Sequence, residues 1–424
     1  MFEIVVACLV ITALLAYVNQ RLVGLPTTIG VMVIALLMSL GLIGLDRLGY
    51  ATLHDYEIHL LRSIDFSEVL MQGMLSVLLF AGALHIDLGR LRAYRAQVAL
   101  LAVAGTAVST VIVGFAVYWL LPLFGLDLPL EYCLVFGALI SPTDPIAVIG
   151  ILKSANAPDD VGTVVAGESL FNDGVGVVLF SVLVGVAVSG VTPSFGEGAM
   201  LVAHEAGGGI LLGGAIGIVL FALLRSIDNY EVEVMLTLAA VFGGYELASQ
   251  LHVSGPLAMV VAGLMIGNHG RELAMSDTTR HHVDLFWKLL DQIFNAVLFV
   301  LVGLQIAMVA YTAKIFVASL GVIAITLLAR LIAVGVPIAG MGGWFRLPRG
   351  SWKVLTWGGL RGGISVALAL SLPYGPQRDL IIALTYAVVV FSILGQGLTM
   401  RALIARALRG GTGGDPECAD DPSR

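Results

Sequence analysis

Two carboxylates lie inside an apolar run that is long enough to span a membrane. The run extends from Val161 to Gly190, and its only formal charges are Glu168 and Asp173. A charged side chain at the bilayer centre costs about 2.5 to 3.5 kcal/mol on insertion scales, so a chain that keeps one usually uses it. Desolvation favours the protonated carboxyl group, whereas a bound cation favours the anion. One buried carboxylate can therefore hold a proton or a cation, which is the competition that antiport requires.

Helical spacing divides the polar residues of this run between two faces. Ser169 and Asp173 are four residues apart, as are Glu168 and Asn172, so each pair shares a face. We expect Ser169 and Asp173 to face a cavity, and the other pair to face a neighbouring helix. Hard cations prefer oxygen ligands, which a carboxylate and a hydroxyl supply. The alternative for Asp173 is a structural carboxyl group that stays neutral.

Two further apolar runs are interrupted, and they must supply the rest of the site. Residues 130–152 contain Pro142 and Pro145, which remove backbone donors and break a helix. Residues 352–372 contain four glycines around Arg361, which weaken the helix there. Paired interruptions in two halves of a chain indicate a transporter with inverted repeats and a site near the membrane midplane. The opened backbone around Thr143 can offer carbonyl ligands.

The charges at the two interruptions have more than one possible role. Half-helix ends carry partial charges of about half a unit, positive at N-termini and negative at C-termini. If the broken spans cross, Asp144 could compensate the positive ends or act as a ligand, and Arg361 could compensate the negative ends. Arg361 could instead pair with Glu168, because an unpaired buried arginine is very costly. For Arg330, inside another apolar run, we expect a structural role with a partner that the sequence does not identify.

Composition places the whole chain in a membrane. The 424 residues are 58% hydrophobic and 12% charged, with a net charge of −7, whereas soluble domains carry about 25% charged residues. The three cysteines form no CxxC pattern, so we predict neither a disulfide framework nor a resident metal site. No glycine-rich nucleotide motif opens a βαβ unit. We therefore expect no cofactor, no nucleic-acid partner and no enzymatic activity.

Counting apolar runs of about 20 residues predicts about thirteen spanning helices in an all-α polytopic protein. Residues 1–409 would form a single transmembrane unit, and residues 410–424 a short polar tail that we expect to be cytoplasmic and disordered. The predicted spans are approximately 3–18, 26–45, 65–86, 96–123, 130–152, 161–189, 207–225, 232–251, 255–268, 284–309, 314–341, 352–372 and 379–407.

The distribution of lysine and arginine predicts an outside N-terminus and a cytoplasmic C-terminus, because cytoplasmic loops are enriched in both residues. With that orientation, sixteen of the 22 basic residues lie inside and only four outside. The inner ones are Arg21, Arg90, Arg92, Arg95, Lys153, Arg225, Arg271, Arg280, Lys288, Arg346, Arg349, Lys353, Arg401, Arg406, Arg409 and Arg424. The outer ones are Arg47, Arg62, Lys314 and Arg378.

Four segments resemble those of monovalent cation:proton antiporters of the NhaP type, bacterial relatives of the animal sodium/proton exchangers. They are FAGALHIDL (Phe80 to Leu88), SPTDP (Ser141 to Pro145), GESLFNDG (Gly167 to Gly174) and GGLRGGISVALALSLP (Gly358 to Pro373). The resemblance covers the whole membrane portion, and the last three are long motifs that occur in the right order. Because the predicted tail is short, we expect no long regulatory domain like that of the animal exchangers.

The resemblance implies an antiporter fold of thirteen helices in a homodimer of the bacterial inner membrane. Dimerisation helices would hold a mobile core, containing roughly residues 65–190 and 284–409, that moves like an elevator. Asp173 would bind Na⁺ or Li⁺ and protons, the Thr143 carbonyl would be a ligand, and Asp144, Ser169 and Asn172 would build or support the site. The sodium ligands would be Asp173, Ser169 and Thr143. Glu168 and Arg361 would form a structural ion pair, and the Asn-Asp pair implies electroneutral one-for-one exchange.

Alternative functions are a K⁺/H⁺ antiporter, a passive cation channel and an intramembrane aspartyl protease. The motifs do not separate Na⁺ from K⁺, because both ions bind oxygen ligands. A channel would more often show rings of acids or a filter repeat, which the sequence lacks. A protease that used Asp144 and Asp173 would be expected to have a GxGD context, which is absent.

Overall fold

The computed structural model describes residues 2–47, 73–155, 157–191, 194–308, 312–348 and 350–408. All regular secondary structure in these residues is helical, and nine of their helices are long and apolar enough to cross a membrane. The predicted all-α membrane fold is confirmed, whereas the count of thirteen spans stays a prediction. The predicted tail and four basic residues of the orientation argument, Arg62, Arg349, Arg409 and Arg424, lie outside the described residues.

Where the chain between two helices is fully described, the connections are short. In chain order they are α1 (Phe2–Val18), α2 (Thr27–Arg47), α3 (Leu75–Leu84), α4 (Leu88–Ala93), α5 (Arg95–Phe124), α6 (Leu130–Ile140), α7 (Ile146–Ser154), α8 (Asp159–Ser189), α9 (Phe195–Arg225), α10 (Tyr230–Gln250), α11 (Gly255–Met265), α12 (Asp277–Leu304), α13 (Ala313–Gly340), α14 (Ser351–Trp357), α15 (Gly363–Leu370) and α16 (Pro376–Ala407).

Polar side chains fix where several helices begin. Ser194 and Glu197 form a reciprocal capping box at the start of α9. Asn229 accepts hydrogen bonds from two backbone N–H groups at the start of α10, and Ser276 caps α12. Each cap satisfies backbone donors that the helix itself leaves unpaired. The long spans are thereby held at defined ends.

The helices pack as two groups around the site. In the first group, α12 packs mainly on α2, α3 packs on α11, and α11 also packs on α9. In the second group, α6 packs on α5 and α8, and α13 packs on α5 and α16. The predicted division into dimerisation helices and a mobile core stays a prediction. In this packing, however, α3 and α12 lie with the first group, although the predicted core range includes all of α3 and most of α12.

The two predicted interruptions are present, and they meet in the interior. One separates α6 from α7, and the other separates α14 from α15. The Asp144 N–H donates to the Leu360 carbonyl across the two breaks at 2.8 Å. This bond gives one unwound segment a partner in the other, which buried backbone groups require. Four half-helix ends therefore converge beside α8, which is continuous from Asp159 to Ser189.

Candidate functional site

A cavity of about 1010 Å³ reaches from the protein surface to the two helix breaks. At its mouth, Arg90 and Asp159 form an ion pair at 2.7 Å, and their side chains are 58% and 79% exposed. At its inner end, Asp173 is only 5% exposed. The charged residues of the lining are Asp87, Arg90, Asp144, Lys153, Asp159, Asp173, Lys288 and Asp291. The cavity thus gives a deeply buried carboxylate an aqueous path to one side.

Asp173 is the buried acid that lacks a hydrogen-bond partner at this site. Its Oδ1 is fully buried and receives no hydrogen bond from any residue that the structure describes. A buried carboxylate oxygen without a donor is costly, because it has lost its water without replacement. A proton or a cation bound at this oxygen would remove that cost.

Thr143, in the first break, is tied to α8 by a network of short hydrogen bonds. Its hydroxyl is 3.0 Å from the Ser169 hydroxyl and accepts from Asn172 Nδ2 at 2.9 Å. Its backbone N–H donates to Asn172 Oδ1 at 3.2 Å. Thr143 lines the cavity with Asp173, but Ser169 is not part of the lining. We expected Ser169 and Asp173 to face the cavity together. Only Asp173 does so, whereas Ser169 contacts Thr143 in the unwound segment.

The predicted ion pair between Glu168 and Arg361 does not form, and this expectation is corrected. Glu168 instead pairs with Arg330 of α13: Nη1 lies 2.5 Å from Oε1 and Nη2 lies 2.7 Å from Oε2. Glu168 and Arg330 are 1% and 6% exposed. Asn172 Nδ2 also donates to Glu168 Oε1, at 3.0 Å. The two-point geometry matches the planar guanidinium to both carboxylate oxygens, which makes a strong buried pair.

Arg361 compensates a helix end, which is the other role that the sequence left open. Its Nη1 donates to the carbonyls of Ser141 and Pro142, directly after the C-terminal end of α6. Carbonyls at a helix C-terminus carry partial negative charge. The Arg361 backbone N–H donates to Ser392 Oγ at 2.8 Å. The guanidinium of the second break therefore neutralises the helix end of the first, which leaves Glu168 free for Arg330.

Two π-helical turns, which are wider than α-helical turns, occur in α13 and α16 next to the buried arginines Arg330 and Arg361. One follows Arg330 directly, over Leu331–Gly335, and the other covers Ser392–Gly397, which includes the Ser392 that binds Arg361. Such turns are rare and are frequent at functional sites. Here both turns adjoin the two buried arginines, and the hydrophobic pattern of the sequence did not indicate either.

α12 also contributes to the site, which the sequence-based prediction did not include. Lys288, Asp291 and Asn295 line the same cavity as Asp173, although the prediction of orientation assigned Lys288 to an inner loop. A signal was present in the sequence. Asp284, Lys288, Asp291 and Asn295 recur at intervals of four, three and four residues, which places them on one face of a helix.

Gly362, in the second break, lies so close to Asp144 that the effect of Gly362→Ala can be predicted. A Cβ at this position would lie 2.6 Å from Asp144 Oδ2 and 2.7 Å from Asp144 Cβ, so the two breaks would have to separate. A misplacement of about 1 Å at a reacting site can cost up to about 100-fold, and we expect at least a tenfold lower transport rate. The measurement is ion flux by purified protein in liposomes.

Gly150→Ala is the matched control, because a Cβ at Gly150 meets no heavy atom within 4 Å. It changes the same residue type in α7, the half-helix after the first break. Normal flux by Gly362→Ala would contradict the close contact between the breaks.

Sequence and structure comparisons agree with this architecture. The sodium/hydrogen exchanger transmembrane family model matches residues 9–406. The Na(+)/H(+) antiporter NhaP of Pseudomonas aeruginosa is 51% identical over 414 residues, which cover 97% of this chain and 98% of that protein. The Na(+)/H(+) antiporter NhaH of Halobacillus dabanensis is 36% identical over 390 residues, which cover 91% and 93% of the two chains.

A solved structure shows the same fold. The sodium proton antiporter MjNhaP1 from Methanocaldococcus jannaschii superposes with a TM-score of 0.74, covering 95% of this chain and 97% of that one at 19% identity. The match supports the fold alone, whereas the family assignment rests on the sequence matches. The chain is a multi-pass membrane protein and belongs to the transmembrane sodium/hydrogen exchanger family.

Proposed function

We propose that this protein is a secondary antiporter that exchanges protons for Na⁺ or Li⁺ across the bacterial inner membrane. The observation that carries the proposal is Asp173, a buried carboxylate with an unpartnered oxygen at the end of a cavity and beside a broken helix. Relatives that match over nearly the whole chain are named Na(+)/H(+) antiporters. The mechanism needs no cofactor, because the carboxylate itself binds both transported ions.

Competition at Asp173 couples the two ions. A proton neutralises the carboxylate, and a cation that binds the anion displaces that proton. The carbonyls of Ser141 and Pro142 are occupied by Arg361, so we assign the Thr143 carbonyl as the backbone ligand. Ser169 and Asn172 hold Thr143 in place, and Ser169 is also a candidate ligand. Exchange results if Asp173 faces one side of the membrane at a time and carries one ion in each direction.

The residue beside Asp173 supports an electroneutral stoichiometry of one to one. Asn172 is an amide that bonds Thr143 and Glu168, so this helix turn presents one titratable carboxylate to the cavity. Asp144 is assigned to the positive ends of the half-helices. Proton flux that generated a membrane potential, or that followed an imposed one, would contradict this stoichiometry.

The positive-inside rule sets the proposed orientation. The basic residues at the cavity mouth, Arg90 and Lys153, would lie on the cytoplasmic side, with the N-terminus outside. The cavity would then be open to the cytoplasm in this conformation. We also propose a homodimer, on the basis of the family resemblance.

Reconstituted protein tests the proposed function. We expect added Na⁺ or Li⁺ to dissipate a pH gradient across proteoliposomes with saturable, coupled flux. Larger flux with K⁺ than with Na⁺ would favour the K⁺/H⁺ alternative. Cation flux without proton flux would indicate a channel, and no cation-dependent proton flux would refute the proposal.

Competition also predicts how pH changes the sodium dependence. As pH falls, protons occupy Asp173 in a growing fraction of molecules, so more Na⁺ is needed to displace them. The half-saturating Na⁺ concentration should rise by about tenfold per pH unit once the site is mainly protonated. Initial rates over a matrix of pH and Na⁺ measure this shift, with pH equal on both sides and the exchange followed as isotope uptake. A half-saturating concentration that does not change with pH would show that the ions bind separately.

A further inference from the structure

Asp291 lines the cavity from a helix outside the packing group that contains Asp173. Asp291 lies on α12, which packs mainly on α2, whereas Asp173 lies on α8, which packs on α6. Lys288 and Asn295 line the cavity from the same α12 face. The cavity therefore has acidic groups on two walls that belong to separate packing groups.

Asp291 is held in a fixed position by its neighbour Asn295. Asn295, only 3% exposed, donates from Nδ2 to both the carbonyl and Oδ1 of Asp291, each at 2.9 Å. Asp291 is half-buried, and the ion pairs among the described residues do not include one between Asp291 and Lys288. A positioned carboxylate in an aqueous cavity is suited to attracting a cation.

The charges of the cavity make such attraction effective. Asp144 and Asp291 both line the cavity, and like charges that share one site disfavour each other. A cation between the walls would relieve this repulsion, and low-dielectric walls strengthen the field within a cleft. Lys288 lies one helical turn before Asp291 and has the opposite effect on a cation that passes it.

We propose that Asp291 on α12 attracts cations into the cavity and passes them to Asp173 only while Asp173 faces this cavity. Lys288 opposes this attraction. We call Asp291 the recruiting station. The inference rests on the proposed cation exchange. Because the cavity opens to one side of the protein, the station serves one side of the membrane. Asp291 is thus a positioning residue for the cation, whereas Asp173 binds the exchanged ions.

Paired charge changes of opposite sign test the station. For Na⁺ added on the cavity side, Asp291→Asn should raise the half-saturating concentration by about three- to tenfold, and Lys288→Gln should lower it by about threefold. The maximal rate should stay within about twofold of normal, and Asp291→Glu should restore near-normal sodium dependence. Both shifts should shrink when choline chloride raises the ionic strength, because salt screens exposed charges.

The side of the membrane on which Na⁺ is added distinguishes a recruiting station in this cavity from a general effect of the substitutions on cation affinity. In everted vesicles, which expose the proposed cytoplasmic face, the shifts should appear in full. In right-side-out vesicles the half-saturating external Na⁺ concentration should be normal for both variants. Equal shifts in both orientations, or a lower maximal rate with unchanged half-saturation, would overturn the inference and indicate a structural role. Wild-type protein without cation-dependent exchange would instead refute the proposed function.

Discussion

Asp173→Asn is expected to reduce cation-coupled proton flux to background, a loss of about 100-fold or more, which corresponds to at least about 2.7 kcal/mol. The amide is nearly the same size as the carboxyl group, but it can neither release a proton nor supply a negative charge to a cation. The buried position 173 would still be filled, so the protein should fold. Flux in proteoliposomes and thermal unfolding in detergent together measure the two effects.

Asp127→Asn is the matched control for this substitution. It makes the same change from acid to amide, at an exposed residue in the connection between α5 and α6. We expect normal flux from this variant. If Asp173→Asn exchanged ions at the rate of the control, the assignment of the carrier carboxylate would be wrong.

Breaking the pair between Glu168 and Arg330 should have the largest effect on stability. Arg330→Leu leaves the Glu168 carboxylate buried without its partner, and Glu168→Gln does the same to the guanidinium. Removing one member of a buried ion pair costs about 3 to 5 kcal/mol. We therefore expect a marked loss of folded protein after detergent extraction, measured by thermal unfolding and by the monodisperse fraction.

A comparison of two double-mutant cycles tests which arginine is the partner of Glu168. The cycle of Glu168→Gln with Arg330→Leu should show a large coupling energy, because each single change already breaks the pair. The cycle of Glu168→Gln with Arg361→Gln should show a small coupling energy, since Arg361 binds carbonyls at the end of α6. The reverse order of coupling energies would restore the pairing that the sequence suggested.

Local properties of the sequence predicted the elements of the site and the positions of its breaks. Pro142 and Pro145 interrupt a helix wherever it packs, because proline lacks the N–H that the helix requires. Spacing of four residues places Ser169 and Asp173 on neighbouring turns of α8 regardless of the surrounding fold. The composition required a membrane because so few residues are charged. These conclusions depend only on nearby residues or on averages over the chain.

Pairing between distant segments was decided only by the tertiary structure. Glu168 had two buried arginines as possible partners, and nothing in their spacing favours Arg330, which lies 162 residues away, over Arg361. The choice depends on where the end of α6 lies, because the carbonyls that follow it bind Arg361. The position of α12 likewise brings Asp291 and Lys288 to the cavity. The sequence by itself determined which charges must be buried and where the helices break. The fold determined which opposite charge each one meets, because a buried charge is stabilised by its neighbours in space and not by its neighbours along the chain.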